Sequence, residues 1–208
     1  MAGSLDAGDS KQIQENSKIC WGVAKKAGFS DQATAGILGN IYAESMFNAN
    51  AHETPSPSSG YGLAQWTPGT KIYGQGAQVG VSRAECETVE GQMKIIINGD
   101  KVGQWMNTVA NGANTSSLGY PPTEALTINN YKSSKDVKQA CVDWENHYER
   151  GLVGPTLRIT LRIHAAEYFY DKYKGTGGGD DGGNNGTSSK GKTIIMDNWI
   201  KRREYYGI

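Results

Sequence analysis

The chain has 208 residues, of which 37% are hydrophobic, and this is enough to bury one good core. Its 21 Lys and Arg residues balance 21 Asp and Glu residues, so no overall field would steer it toward nucleic acid or an anionic membrane surface. No stretch approaches the roughly 20 apolar residues of a membrane span, and the first residues lack the basic and apolar regions of a secretory signal. We therefore expect neither a nucleic-acid nor a membrane partner, and an uncharged polymer suits the chain better.

Apolar residues recur at helical spacing before residue 175 and predict a mainly α fold. Ser30 is placed to cap a helix, and Ser82 and Glu85 have the S-x-x-E spacing of a capping box. Pro155 suits the first turn of a last helix that ends near Tyr173. The predicted stripes are Ile19, Cys20, Val23, Ala24 and Ala27 before a stop at Gly28; Ala33, Ile37 and Ile41; Cys86, Val89, Met93, Ile96 and Ile97; Val102, Trp105, Met106 and Val109; Val137, Ala140, Cys141, Trp144 and Tyr148; and Leu157, Leu161, Ala165 and Tyr168.

Three segments depart from this helical pattern. Glycines and prolines between 49 and 76 predict a loop and a small hairpin. Residues 175–192, rich in Gly, Asp, Asn and Ser, are predicted to be a flexible linker after a domain over 1–174. Residues 193–208 are too short to fold alone and resemble a docking segment or the start of a second domain. The three cysteines, at 20, 86 and 141, form no CxxC pair and are expected to be buried thiols.

Glu44 is the residue best placed for chemistry. It continues the face of Ala33, Ile37 and Ile41, so its carboxylate is expected to point inward. Apolar surroundings, the negative end of the helix dipole, and the lack of any Lys or Arg between residues 32 and 51 would favour its protonated form. These are the conditions that produce a general acid. A solvated glutamate at the edge of the stripe is the alternative.

The neighbourhood of Glu44 carries a family resemblance. The segment Gly39-Asn-Ile-Tyr-Ala-Glu-Ser-Met-Phe-Asn48, followed by Gly60-Tyr-Gly-Leu-Ala-Gln-Trp-Thr67, resembles the lysozyme domains of phage tail-tip proteins. The segment Asn146-His-Tyr-Glu-Arg-Gly151 is similar to the closing N-Y-E-R segment of that family. The resemblance covers about residues 10 to 173. Gly151 in place of a proline, and a longer loop before Gly60, are departures from the family pattern.

The resemblance implies a lysozyme-like fold of two helical lobes with a small β-hairpin and a central glycan cleft. Glu44 takes the family's role of catalytic acid, and Tyr61, Gln65 and Trp66 fall in the hairpin that lines the sugar cleft. Aromatic rings such as Tyr73 pack on sugar C–H faces, while Gln65 and Asn48 can bind hydroxyls. The alternative that Trp66 belongs to the core stays open.

A second carboxylate is harder to assign. Glycosidases usually place two carboxyl groups about the scissile bond. Glu53, in the loop entering the hairpin, is the first choice, with Asp143 and Glu149 as alternatives, although Glu149 with Arg150 suits a structural ion pair. Without a second carboxylate, the acetamido group of the sugar can act instead, or the product closes to a 1,6-anhydro sugar as in lytic transglycosylases.

The sequence is thus interpreted as a hydrolase of peptidoglycan glycan strands, acting at a phage tail tip beside other tail proteins. The rivals are a lytic transglycosylase, a wall-binding tail module without turnover, and a released endolysin. His52 and Glu53 lack the second histidine of a zinc protease motif, and no phosphate-binding loop or esterase elbow occurs. We expect no metal and no cofactor.

Overall fold

A computed structural model describes residues 10–56, 58–109, 115–151 and 157–177. The predicted linker beyond residue 177, the predicted segment 193–208 and Pro155 lie outside the described residues. None of the described helices is long and apolar enough to cross a membrane. In chain order the helices are α1 Lys11–Lys26, α2 Asp31–Ser45, α3 Lys71–Gln78, α4 Val89–Ile96, α5 Ile128–Tyr131, α6 Val137–Trp144 and α7 Ile159–Tyr173, with 3₁₀ turns at Glu85–Glu87 and Thr115–Leu118 and a π turn at Glu145–Glu149. The mainly α fold is confirmed.

Helix α2 is the centre of the fold and packs against α1, α6 and α7. Two glycines permit this close packing. A Cβ on Gly36 would lie 2.7 Å from the carbonyl carbon of Ala140 in α6, and one on Gly39 would lie 2.3 Å from the carbonyl oxygen of Arg162 in α7. Neither helix could approach α2 so closely past a larger residue.

The predicted start of α2 is confirmed, because the Ser30 hydroxyl accepts a 3.0 Å bond from the Ala33 amide. The capping box of Ser82 and Glu85 also forms, with the Ser82 amide donating to Glu85 Oε2 at 2.8 Å. It precedes only the short 3₁₀ turn at Glu85–Glu87, however, and α4 begins later with Thr88 as its own N-cap. The apolar stripe that predicted one helix therefore spans two elements, the 3₁₀ turn and α4.

Two predictions of secondary structure are wrong. The stripe from Val102 to Val109 forms no helix: Gly103 has a φ of 67°, and Thr108 pairs with Ala125 in an antiparallel bridge. Conversely, Gly74 and Gly76 lie inside α3, where a helix was not expected. A Cβ on Gly76 would lie 2.5 Å from Cys86 Sγ, so this glycine serves close packing and does not break the helix.

The inner face of α1 is also rotated from the predicted one. Ile19 is 42% exposed, while the buried positions are Ile13, Ser17, Cys20, Trp21 and Ala24. Gly28, with a φ of 86°, ends this helix as predicted. All three cysteines are buried and free, which confirms their interpretation as buried thiols.

The packing of α2 gives the first prediction. Gly39→Ala places a methyl group 2.3 Å from a backbone oxygen of α7, so the free energy of unfolding should fall by about 1–3 kcal/mol. Gly74→Ala is the matched control, because its Cβ would meet nothing within 4 Å and alanine favours a helix by about 1 kcal/mol. Urea unfolding measures both variants. A Gly39→Ala protein as stable as the wild type would contradict the close packing.

Candidate active site

Glu44 lies in the last turn of α2, directly before a sharp change of chain direction. Met46 and Phe47 both adopt left-handed backbone conformations, with φ of 50° and 60°. Such conformations cost about 1–3 kcal/mol each in residues other than glycine. The Phe47 ring is buried, and its centroid lies 5.0 Å from that of the Phe169 ring. This burial offsets the backbone cost and fixes the end of α2.

A buried guanidinium holds the Glu44 carboxyl in place. Arg162 of α7 ion-pairs through Nη2 with Glu44 Oε1. Its Nη1 lies 3.0 Å from Asn40 Oδ1 and 3.1 Å from Glu145 Oε2, and its Nε donates to the Leu157 carbonyl. The Arg162 cluster, formed by Arg162, Asn40, Glu44, Glu145 and Glu149, thus joins α2, α7 and the π turn.

The carboxyls of Glu145 and Glu149 are held toward the neutral form. Burial raises the pKa of Glu145, although Arg162 opposes the shift, and Glu44 adds to it. Removal from water raises the pKa of Glu149 well above its usual range, and the charges of Glu44 and Glu145 raise it further. Burial works against the charge of Arg162, yet Glu145, Glu44 and Glu149 keep its pKa above the ordinary value.

Glu44 is more open to solvent than Glu145. Its side chain is 21% exposed, whereas that of Glu145 is 1% exposed. The expectation that Glu44 lies among apolar neighbours was incomplete, because Arg162, distant in the sequence, supplies a basic partner. The arrangement nonetheless offers an oriented, partly exposed carboxyl beside the buried carboxyl of Glu145.

The loop after α2 is tied to the helix that carries Glu44. The Ser45 hydroxyl donates to the Leu63 carbonyl at 3.0 Å. The buried Gln92 of α4 accepts from the Leu63 amide at 2.8 Å and donates to the Ala49 carbonyl at 2.8 Å. The Gly60–Thr67 segment is thereby fixed beside Glu44 from two sides. Gln92 was not identified from the sequence, since nothing near it in the chain marks it.

Isolated antiparallel bridges form within this loop, between His52 and Tyr61 and between Tyr61 and Trp66. They occupy the place of the predicted hairpin without forming a sheet in the described residues. Trp66 is 4% exposed and its indole N–H donates to Gln75 Oε1 at 2.7 Å. Gln65 is half-buried, and its side-chain Nε2 donates to the Gly62 carbonyl at 2.8 Å.

The remaining predicted site residues lie in different environments. Asn48 is exposed, and its Oδ1 accepts a bond from the Asn50 amide. Glu53 is exposed in the loop, and its Oε2 accepts a 3.4 Å bond from the Gly60 amide. Asp143 is buried and accepts bonds from both the amide and the hydroxyl of Thr123, which is a structural role.

Tyr61 and Tyr73, both predicted to contact sugar, share a carboxylate that the sequence did not indicate. The Tyr73 hydroxyl donates to Glu87 Oε1 at 2.5 Å, and the Tyr61 hydroxyl donates to Glu87 Oε2. Tyr61 is buried and Tyr73 is half-buried. The residues come from three separate segments, so no local spacing could have grouped them.

Within the described ranges, no three His, Cys, Asp or Glu side chains are grouped so that they could hold a metal ion. A surface pocket of about 340 Å³ includes Gln32, Val137 and Tyr170. Gln32 lies near the start of α2 and Glu44 near its end, so this pocket is remote from the Arg162 cluster, at about 1.5 Å of rise per residue.

Comparison with known proteins gives two findings. A family described as phage tail lysozyme matches residues 15–173. The chain is also similar to Morphogenesis protein 1 of Bacillus phage B103, with 30% identity over 101 residues. That alignment covers 47% of this chain and 27% of the phage B103 protein, so the chain spans about a quarter of that relative.

The raised pKa of Glu149 gives a stability prediction. Between the ordinary glutamate pKa of about 4.3 and the raised folded value, the folded protein retains a proton that the unfolded chain has released, so stability falls as pH rises. Glu149→Gln removes this titration and preserves the acceptor for the Trp144 indole. Each unit of pKa difference between the folded and unfolded states changes the free energy of unfolding by about 1.4 kcal/mol. The melting temperature should therefore fall less steeply in the variant as pH rises above the ordinary glutamate pKa.

The exposed Glu124 provides the control for this measurement. Glu124→Gln should keep the wild-type dependence of melting temperature on pH. Glu145 also has a raised pKa, so Glu149→Gln should remove only part of the dependence. An unchanged slope in Glu149→Gln would show that its carboxyl does not hold the extra proton.

Proposed function

The chain belongs to the phage tail lysozyme family, and we propose that it cleaves the glycan strands of bacterial peptidoglycan with Glu44 as the general acid. The position of Glu44 is the observation that carries this proposal. Its side chain is 21% exposed while it pairs with Arg162, and it lies beside the Gly60–Thr67 loop. A fixed, accessible carboxyl is the group that can protonate a glycosidic oxygen.

In this mechanism, the residues around Glu44 orient its proton. Arg162 contacts Oε1, so the proton to be transferred is carried by Oε2. The acid then protonates the leaving oxygen as the sugar develops oxocarbenium character.

We propose Glu53 as the second carboxylate. Its backbone amide donates to the Gly60 carbonyl at 3.0 Å, which places it in the same closed loop as Tyr61. Its exposure leaves the carboxylate able to meet a water molecule or the sugar. Asp143 is less suited because Thr123 occupies both of its oxygens.

The wider context is proposed from the family and the relative together. The glycan would lie in a cleft between the helical part carrying Glu44 and a wall formed by Asn48, Tyr61, Gln65 and Trp66 of the loop and Tyr73 of α3. Membership of a phage tail lysozyme family supports a role in which a phage tail tip, in contact with other tail proteins, opens the cell wall locally. The name of the phage B103 relative, a morphogenesis protein, agrees with a role in the virion.

The general acid is tested with Glu44→Gln, which keeps the shape of the side chain and removes the transferable proton. Release of soluble fragments from purified peptidoglycan should fall by about 100-fold or more. Glu90→Gln, an exposed change on α4, should retain the wild-type rate. Equal inactivity of the wild type and Glu44→Gln would instead support a wall-binding module.

The second carboxylate is tested with Glu53→Gln and by mass spectrometry of the fragments. If Glu53 activates water or attacks the sugar, the rate should fall by about 100-fold. Hydrolysis adds a water to each new reducing end, whereas a lytic transglycosylase gives an anhydro product one water lighter. Full activity of Glu53→Gln would exclude it, and anhydro products would assign the transglycosylase reaction.

A further inference from the structure

Glu87 connects three segments of the chain at the protein surface. It ends the 3₁₀ turn at Glu85–Glu87 and accepts hydrogen bonds from Tyr61 of the loop and Tyr73 of α3. Asn50 Oδ1 lies 3.2 Å from the Tyr61 hydroxyl oxygen. A phenol has one proton, and the closer acceptor is Glu87, so the carboxylate determines the direction of the hydroxyl.

The rings of Tyr61 and Tyr73 are also in contact with neighbouring side chains. The guanidinium carbon of Arg83 lies 3.9 Å from the centroid of the Tyr73 ring. The His52 ring lies 4.8 Å from that of Tyr61, at an interplanar angle of 45°. Glu87, Tyr61, Tyr73, Arg83 and His52 are hereafter called the Glu87 cluster.

The charge state of the Glu87 cluster agrees with this hydrogen bonding. The hydrogen bonds from Tyr61 and Tyr73 hold the pKa of Glu87 below its usual range, against the effect of partial burial. Burial and its hydrogen bond to Glu87 raise the pKa of Tyr61, and the separate hydrogen bond from Tyr73 to Glu87 raises the pKa of Tyr73. Both phenols therefore keep their protons while Glu87 stays charged.

Three side chains of the Glu87 cluster, those of Glu87, Arg83 and His52, are exposed and open to a ligand. The cluster presents donors, an acceptor and aromatic ring surface on one patch, which is the combination that binds sugar hydroxyls, acetamido groups and C–H faces.

We propose that Glu87 is a positioning residue of a saccharide-binding subsite, orienting Tyr61 and Tyr73 so that Tyr73, Arg83 and His52 contact an N-acetylated sugar of the glycan. This inference rests on the proposed function. Glu87 acts through the tyrosines and takes no part in bond cleavage. Its removal should weaken binding of the polymer and leave the chemical step unchanged.

Binding is measured first, in a protein that cannot cleave. Glu44→Gln is combined with Glu87→Ala, and sedimentation with insoluble purified peptidoglycan gives the affinity. Loss of the hydrogen bonds should weaken binding by about fivefold to tenfold. Glu44→Gln with Glu90→Gln, a nearby exposed carboxylate, should bind like Glu44→Gln alone. Equal affinity of the Glu87→Ala and Glu90→Gln combinations would overturn the proposal.

Kinetics separate positioning from a purely structural role. In the active protein, Glu87→Ala should raise KM by about fivefold to tenfold with kcat within about twofold, and Glu87→Gln should recover part of the loss because its amide oxygen accepts one phenol. A lower kcat at unchanged KM would overturn the proposal. If Glu87→Ala fails to fold, Tyr73→Phe removes one bond from a half-buried ring and should raise KM in the same direction.

The two experiments keep the proposals distinguishable. If the wild type binds peptidoglycan but releases no fragments, the proposed hydrolysis fails, and the sedimentation assay still decides the role of Glu87. If the wild type cleaves and Glu87→Ala has the wild-type KM, the subsite fails while the hydrolase stands.

Discussion

The buried guanidinium of Arg162 determines how the helices around Glu44 assemble. A charge taken out of water must be matched by partners, and removal of one partner from such a pair costs about 3–5 kcal/mol. Arg162 meets Asn40 and Glu44 on α2 and Glu145 on the π turn, so these elements cannot separate without exposing an unmatched charge. Gly39 makes this possible, because a side chain there would block the approach of α7.

The same interaction sets the chemistry available at the end of α2. Three acids share one guanidinium, and the pKa values of Glu145 and Glu149 rise because burial and mutual repulsion disfavour additional charge. Of the two acids that ion-pair with Arg162, Glu44 is the more exposed, at 21% against 1% for Glu145. The loop that would face a substrate is then fixed by Ser45 and Gln92, which bind its backbone at Leu63. Core polar groups thus position a surface loop.

Local signals in the sequence predicted much of the helical framework. Ser30 caps α2, Gly28 ends α1, and α7 ends at Tyr173, because caps and stops depend on a few neighbouring residues. Apolar spacing wrongly predicted a helix between Val102 and Val109, because backbone hydrogen bonds to residues 124–126 hold this segment in an extended conformation. It also failed for α3, because the packing role of Gly76 depends on Cys86, ten residues later.

By itself the sequence determined that Glu44 follows the inner face of a capped helix, and its motifs identified the family that the comparison confirms. Only the tertiary structure decided the partners of that carboxyl and of the loop tyrosines. Arg162 lies 118 residues from Glu44, and Glu87 lies 26 residues from Tyr61. Helical periodicity reaches only three or four residues along the chain, whereas ion pairs and shared hydrogen bonds form wherever packing brings side chains together.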